Sequence, residues 1–177
     1  MIDAKEYGRA LFLITEEENL SDKVLADVKT AEKSLRLNPE YVKLIDSPAI
    51  AKEERVALAD KAFNSLNVNL LNLIKILIEK RDMRYFNKVA GEYYSLYDSS
   101  RGILRVEAVT AIPLTDSQRD AMTKKLSSSL NKTVVLTNTV DKTTLGGVKI
   151  RYSGVQLDGS VKTRLDKFES ALKNSVI

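Results

Sequence analysis

The sequence predicts a mainly α-helical chain with a smaller α+β part: an N-terminal six-helix bundle followed by a β-α-β-β-α C-terminal domain. Two changes of rhythm carry this reading. Through the first hundred residues apolar side chains recur at intervals of three and four, as in helices buried along one face; from about Ile103 they recur at every second position, as in a strand with one covered face. Ser99, Ser100 and Gly102 stand where the rhythm changes, which places the domains at 1–100 and 101–177.

Each element has its own signal. Ala4, Tyr7, Leu11 and Ile14 keep helical spacing, and Ser21 can cap a second helix with Val24, Val28, Ala31 and Leu35 on one face. Asn38-Pro39 opens a short third helix, since proline fits the first turn after a cap. Ser47-Pro48 marks the next break, before a helix with Val56, Ala59, Phe63 and Leu66 in register. A fifth runs from Asn69 to Lys80. Asp82 can cap a long sixth, striped by Met83, Phe86, Ala90, Tyr93 and Tyr97. Leu104, Val106, Ala108, Thr110 and Ile112 then alternate as a strand that Pro113 ends. Thr115 and Gln118 have capping-box spacing ahead of a helix with Met122, Leu126 and Leu130. Strands follow at Val134 to Val140, at Val148 to Tyr152 and, after a turn at Gly154, through Val155 and Leu157. Asp158-Gly159-Ser160 introduces a last helix with Val161, Leu165, Phe168 and Leu172 aligned.

Composition narrows the chemistry. At 177 residues and 44% hydrophobic, with 28 basic residues against 24 acidic, the chain can bury cores and reads as globular. It contains neither Cys nor His, which removes thiolate nucleophiles, the usual zinc ligands, the commonest general base and every Ser-His-Asp or Cys-His arrangement. Carboxylate or lysine catalysis survives this exclusion, so the expectation is no enzyme, no catalytic residues, no cofactor and no metal. The N-terminus reads as neither signal nor transit peptide, and the apolar run Leu70 to Ile78 is too short to span a bilayer. Contact with a membrane is expected only through a partner.

Surface chemistry points to binding. On the fifth helix Leu70, Leu71, Leu73, Ile74, Ile76, Leu77 and Ile78 spread over roughly 220° of circumference, leaving Asn72, Lys75 and Glu79 on a narrow polar strip. Either that helix is central to its bundle, or part of the arc, flanked by Ile76 and Leu73, is an open groove for a partner helix. Phe12 and Leu13 similarly leave the main stripe of the first helix. Gly146-Gly147 lacks the spacing of a Walker or dinucleotide loop and precedes a strand, which favours a turn. Glu16-Glu17-Glu18 points in three directions around a helix and builds no metal cage. Residues 101–177 hold 13 basic and 7 acidic side chains, leaving 15 and 17 to the first hundred. A basic nucleic-acid-binding module is therefore the alternative reading, although its lysines and arginines alternate with acids and its strands carry only Tyr152 for base stacking.

Several segments together resemble the delta subunit of bacterial F-type ATP synthases, the family of the mitochondrial oligomycin-sensitivity-conferring protein. Tyr7-Gly8-Arg9-Ala10-Leu11-Phe12 resembles that family's opening, and Asn72-Leu73-Ile74-Lys75 with Arg81 its fifth helix. Asp141, Leu145-Gly146-Gly147-Val148-Lys149-Ile150-Arg151, Leu157-Asp158-Gly159-Ser160-Val161 and Arg164-Leu165 resemble its C-terminal signature in order and spacing. Two departures are Lys142, where many relatives have Pro, and Gly8 for a common Ala, a change expected to loosen one helical turn by up to about 1 kcal/mol.

The resemblance implies a non-catalytic stator subunit that resists rotor torque during proton-coupled ATP synthesis. Its helical domain would bind the N-terminal helices of alpha subunits of the catalytic head. Its second domain would bind the C-terminal ends of the b subunits of the peripheral stalk. It would lie peripherally at the cytoplasmic face of a bacterial cell membrane, without nucleic acid and without direct membrane insertion. By position, the resemblance puts the docking face on Tyr7, Ala10, Leu11 and Ile14 of the first helix and Leu73, Ile76, Leu77 and Lys80 of the fifth.

Overall fold

The computed structural model of the chain describes residues 3–144, 146–152 and 154–159. Among these, seven α-helices and a four-stranded mixed sheet make a mostly helical molecule of the α plus β class. The chain divides into two compact units, Met1–Tyr97 and Asp98–Ile177.

The first unit contains α1 (Ala4–Glu17), α2 (Ser21–Leu37), α3 (Pro39–Ile45), α4 (Lys52–Phe63) and α5 (Val68–Glu79). A single 3-10 turn, Met83–Tyr85, then leads into α6 (Phe86–Ser100), whose last three residues fall in the second unit. Asp3 caps α1 by accepting from the Lys5 N–H, and Asn67 caps α5 by accepting from that of Asn69. Asn38 and Pro39 take the cap and first positions of α3, and the Asn38 amide also donates to Ser34 O at 2.8 Å, closing α2. Ser21, read from the sequence as a cap, is instead the first residue of α2; Asn19, at φ 57°, reverses the chain early and leaves the cap position to Leu20. Leu66 falls beyond the end of α4. Asp82 makes no side-chain cap either. The carboxylate that receives the Met83 and Arg84 N–H groups, at 3.2 and 3.3 Å, belongs to Asp46 at the end of α3.

Burial makes α5 the centre of this unit. Leu70, Ile74, Leu77 and Ile78 are completely enclosed, packed with Val24 and Val28 of α2 and Val89 and Tyr93 of α6. Polar groups inside such a core must be bonded. The Tyr93 hydroxyl donates to Ser21 O at 3.1 Å and lies 3.0 Å from the Thr15 hydroxyl, joining α6 to the α1–α2 connection. Arg55, 3% exposed, donates to Ile45 O at 3.3 Å and to Ile78 O at 2.8 Å, so one buried cation serves the carbonyl ends of both α3 and α5. Gly8 also has a use. A Cβ there would stand 2.6 Å from Val89 O and 2.7 Å from the Glu92 Cβ, so the missing side chain is what lets α1 cross α6 this closely. The propensity that Gly8 costs α1 thus goes with a close crossing that a larger residue would obstruct.

The second unit runs β1 (Ile103–Thr110), α7 (Asp116–Leu130), β2 (Thr133–Val140), β3 (Val148–Tyr152) and β4 (Val155–Asp158). Sheet order is β2-β1-β3-β4, with β1 parallel to β2 across α7 and the other pairs antiparallel. Ile112, expected in the first strand, lies outside it and is exposed. The capping box forms as its spacing requires: the Gln118 N–H donates to Thr115 Oγ1 and the Thr115 N–H to Gln118 Oε1. Gly147 and Gly154 have φ 82° and 78°, so both serve turns into strands. One sheet face packs Leu104, Val106 and Val134 against Leu126 and Leu130 of α7. The other is polar, with Arg151 3.6 Å from Glu107 and Lys149 3.8 Å from Asp158. The last helix expected through Val161, Leu165, Phe168 and Leu172 lies outside the described residues.

Candidate functional site

Helices α1 and α5 lie antiparallel and are tied at both ends. Lys80 Nζ donates to the Tyr7 hydroxyl at 2.6 Å, and the Asn69 amide donates to Glu18 Oε2 at 2.7 Å. Between these ties helical geometry turns Tyr7, Ala10 and Ile14 of α1 and Ile76 and Lys80 of α5 toward one outer seam. Ile14 and Ile76 are 45% and 41% exposed, a high figure for branched aliphatic side chains on the flank of a packed bundle. Ala10 and Lys80 are exposed and Tyr7 is half-buried. The remaining three residues of the expected face, Leu11, Leu73 and Leu77, are enclosed in the core beneath.

The seam is apolar along its middle and charged at one end. The Lys80 ammonium sits 5.3 Å from the centre of the Tyr7 ring as well as on its hydroxyl, and that hydrogen bond holds Lys80 protonated above its ordinary range. Leu13 of α1 and Val68 of α5 are exposed as well, at 56% and 61%. Leu13 was legible as a departure from the α1 stripe; Val68 precedes the run that drew attention to α5 and gave no signal.

The second unit offers a different surface. An open trough of about 600 Å³ runs between α7 and β3, lined by Leu114, Met122, Leu126, Val148 and Ile150 with Gln118 and Lys125 on its edges. At the far end of the sheet, Asp141 accepts from the Thr143 N–H at 2.9 Å and its hydroxyl at 2.7 Å. These bonds hold its carboxyl below the usual range, and they brace the turn in which Lys142 stands without help from proline. Among the described residues no group of three or more metal-ligating side chains comes together, and no helix is long and apolar enough to cross a membrane.

Comparison with known proteins agrees with the resemblance read from the motifs. Residues 4–172 match the family described as ATP synthase delta (OSCP) subunit. A protein from Clostridioides difficile named ATP synthase subunit delta is 33% identical over 98% of this chain and 97% of its own length. One of the same name from Acetivibrio thermocellus is 33% identical over 94% of each. Among solved structures, a chain of the Toxoplasma gondii mitochondrial ATP synthase hexamer superposes with a TM-score of 0.75 over 97% of this chain and 98% of that one. At 22% identity it speaks for the fold.

Proposed function

Because the chain belongs to the ATP synthase delta (OSCP) subunit family, we propose that it is a non-catalytic stator subunit of an F-type ATP synthase. In this reading residues 1–100 form a six-helix bundle that binds the N-terminal helices of alpha subunits on the catalytic head. Residues 101–177 form the β-α-β-β-α domain that binds the C-terminal ends of the b subunits, and the protein sits peripherally at the cytoplasmic face of the cell membrane. The observation that carries the first half is the solvent-facing aliphatic seam of Ile14 and Ile76 beside the Tyr7–Lys80 pair.

The mechanics follow from that surface. A stator hydrolyses nothing; it must keep the head from turning with the rotor, so its contacts must outlast a catalytic cycle under load, which requires slow dissociation. An amphipathic helix laid along the seam buries apolar area at roughly 25 cal/mol per Å², before the costs of ordering are subtracted. Lys80, held charged by Tyr7, supplies a fixed cation at one end and sets the direction in which such a helix lies.

The deciding experiment is Ile76→Asp. A half-exposed side chain outside the enclosed core should accept the change with melting and helicity nearly intact, while binding to a peptide of the alpha-subunit N-terminus falls by at least about a hundredfold. Unchanged affinity would refute the seam as the docking face. For the second half, a chain ending after Ser99 should keep head binding and lose stalk binding; retained stalk affinity would overturn that division.

A further inference from the structure

We propose that β2 is a self-pairing edge: two copies of this chain join antiparallel through it, around a two-fold axis at Asn138. This surface belongs to the mixed unit and lies outside the stator reading. Sheet order leaves β2 at one margin, paired only with β1. In that in-register parallel pair the Thr133 N–H donates to Gly102 O at 2.9 Å and the Asp141 N–H to Thr110 O at 2.8 Å, so the odd-numbered residues of β2 turn their backbone groups toward β1. The even-numbered residues turn theirs outward. Val134 already donates on that side to the Ser127 hydroxyl at 3.2 Å, which leaves Leu136, Asn138 and Val140. Among the described residues no backbone group bonds these three there.

Strand edges are normally guarded by charge, proline, a bulge or brevity. β2 has none of these guards: Thr133–Val140 runs eight residues in unbroken register without a charged side chain or a proline, and Val135 and Val140 are 39% and 42% exposed. The opposite margin, β4, is four residues long and ends on Asp158. The symmetry of the open stretch makes a second copy its occupant. Antiparallel strands exchange hydrogen bonds at every second pair. A two-fold axis at Asn138 sets Leu136 opposite the partner's Val140, Asn138 opposite the partner's Asn138 and Val140 opposite the partner's Leu136, so the outward groups of all three are used on both chains. Between them Thr137 faces the partner's Thr139, a favourable cross-strand pair. Val134, whose N–H is taken, meets the partner's Lys142 beyond the bonded stretch, and Val135 meets the partner's Asp141, so no like charges stand opposite. The Asn138 amide is held inward, donating to Ala108 O at 2.9 Å and to the Thr110 hydroxyl at 2.8 Å, and does not compete for the edge. Such a pairing consumes both β2 edges and therefore closes at two copies.

A pair of short strands is a small interface, so the dimer is a weak one, forming at roughly 100 µM and dissociating on dilution. Sedimentation equilibrium of the full chain should show the mass rising from 19.8 kDa toward twice that value as concentration increases through this range. A single copy throughout, or growth beyond two, would overturn the pairing. Thr137→Lys with Thr139→Lys, both at exposed positions, sets lysine opposite lysine and should weaken the dimer at least tenfold with thermal melting nearly unchanged. Thr137→Glu with Thr139→Lys sets opposite charges at the same places and should restore it. A double-lysine variant that dimerises like the wild type, or a glutamate–lysine variant that pairs no better than the double lysine, would refute the assignment.

Discussion

The two units spend their apolar residues differently. Among the described residues the helical unit encloses nineteen hydrophobic side chains in one cluster, whereas the corresponding cluster of the mixed unit holds three, and α7 has no fully buried residue. Helices packed around α5 enclose these side chains and leave Ile14 and Ile76 among the exposed apolar residues outside. The comparison teaches that helices packed around one central helix enclose a large core, while the described part of the mixed unit leaves apolar side chains such as Val148 and Ile150 lining an open trough.

The largest effect that sharpens this contrast is a matched pair of truncations. Leu77→Ala, at a fully enclosed site, should cost about 3 kcal/mol in denaturant unfolding, and Leu130→Ala, half-buried on α7, about 1 kcal/mol; equal costs would break the comparison. Next, Arg55→Met should cost about 2 kcal/mol, because it strips Ile45 O and Ile78 O of a buried donor without emptying the space. Gly8→Ala should cost about 1 kcal/mol. Its gain in helix propensity is outweighed by the collision with the Val89 carbonyl, and thermal melting of the pair of proteins reads the sign. The smallest effect lies in the mixed unit. Thr143→Ala should raise the midpoint of the Asp141 carboxyl in an NMR titration toward the ordinary range. The wild-type carboxyl is depressed, so its contribution to stability is present above the unfolded value and fades as pH falls through the folded one.

Local periodicity made most elements legible. The α3 cap and proline, the Thr115–Gln118 box and the glycine turns before β3 and β4 were all visible because each is decided by residues within four positions of one another. What escaped is decided by residues far apart in sequence. Asp46 caps the Met83 turn, Arg55 reaches the ends of two other helices, and Gly8 answers to the backbone of α6. The candidate seam shows the same limit. Helical spacing groups Tyr7, Ala10, Leu11 and Ile14, and Leu73, Ile76, Leu77 and Lys80, onto common faces. It does not say where along each face enclosure gives way to solvent, and Leu11, Leu73 and Leu77 fall on the inner side of that line.

Arg55 also fixes how the helical unit responds to acidity. A guanidinium stays charged throughout the accessible range, burial pushes the Tyr93 phenol further above neutrality, and the chain has no histidine. The other fully buried polar side chains of this unit, Thr15 and Ser21, do not ionise. Among the described residues, the fully buried polar side chains of this unit therefore keep their charge between about pH 6 and 9, and acidity in that range leaves the Arg55 and Tyr93 bonds engaged.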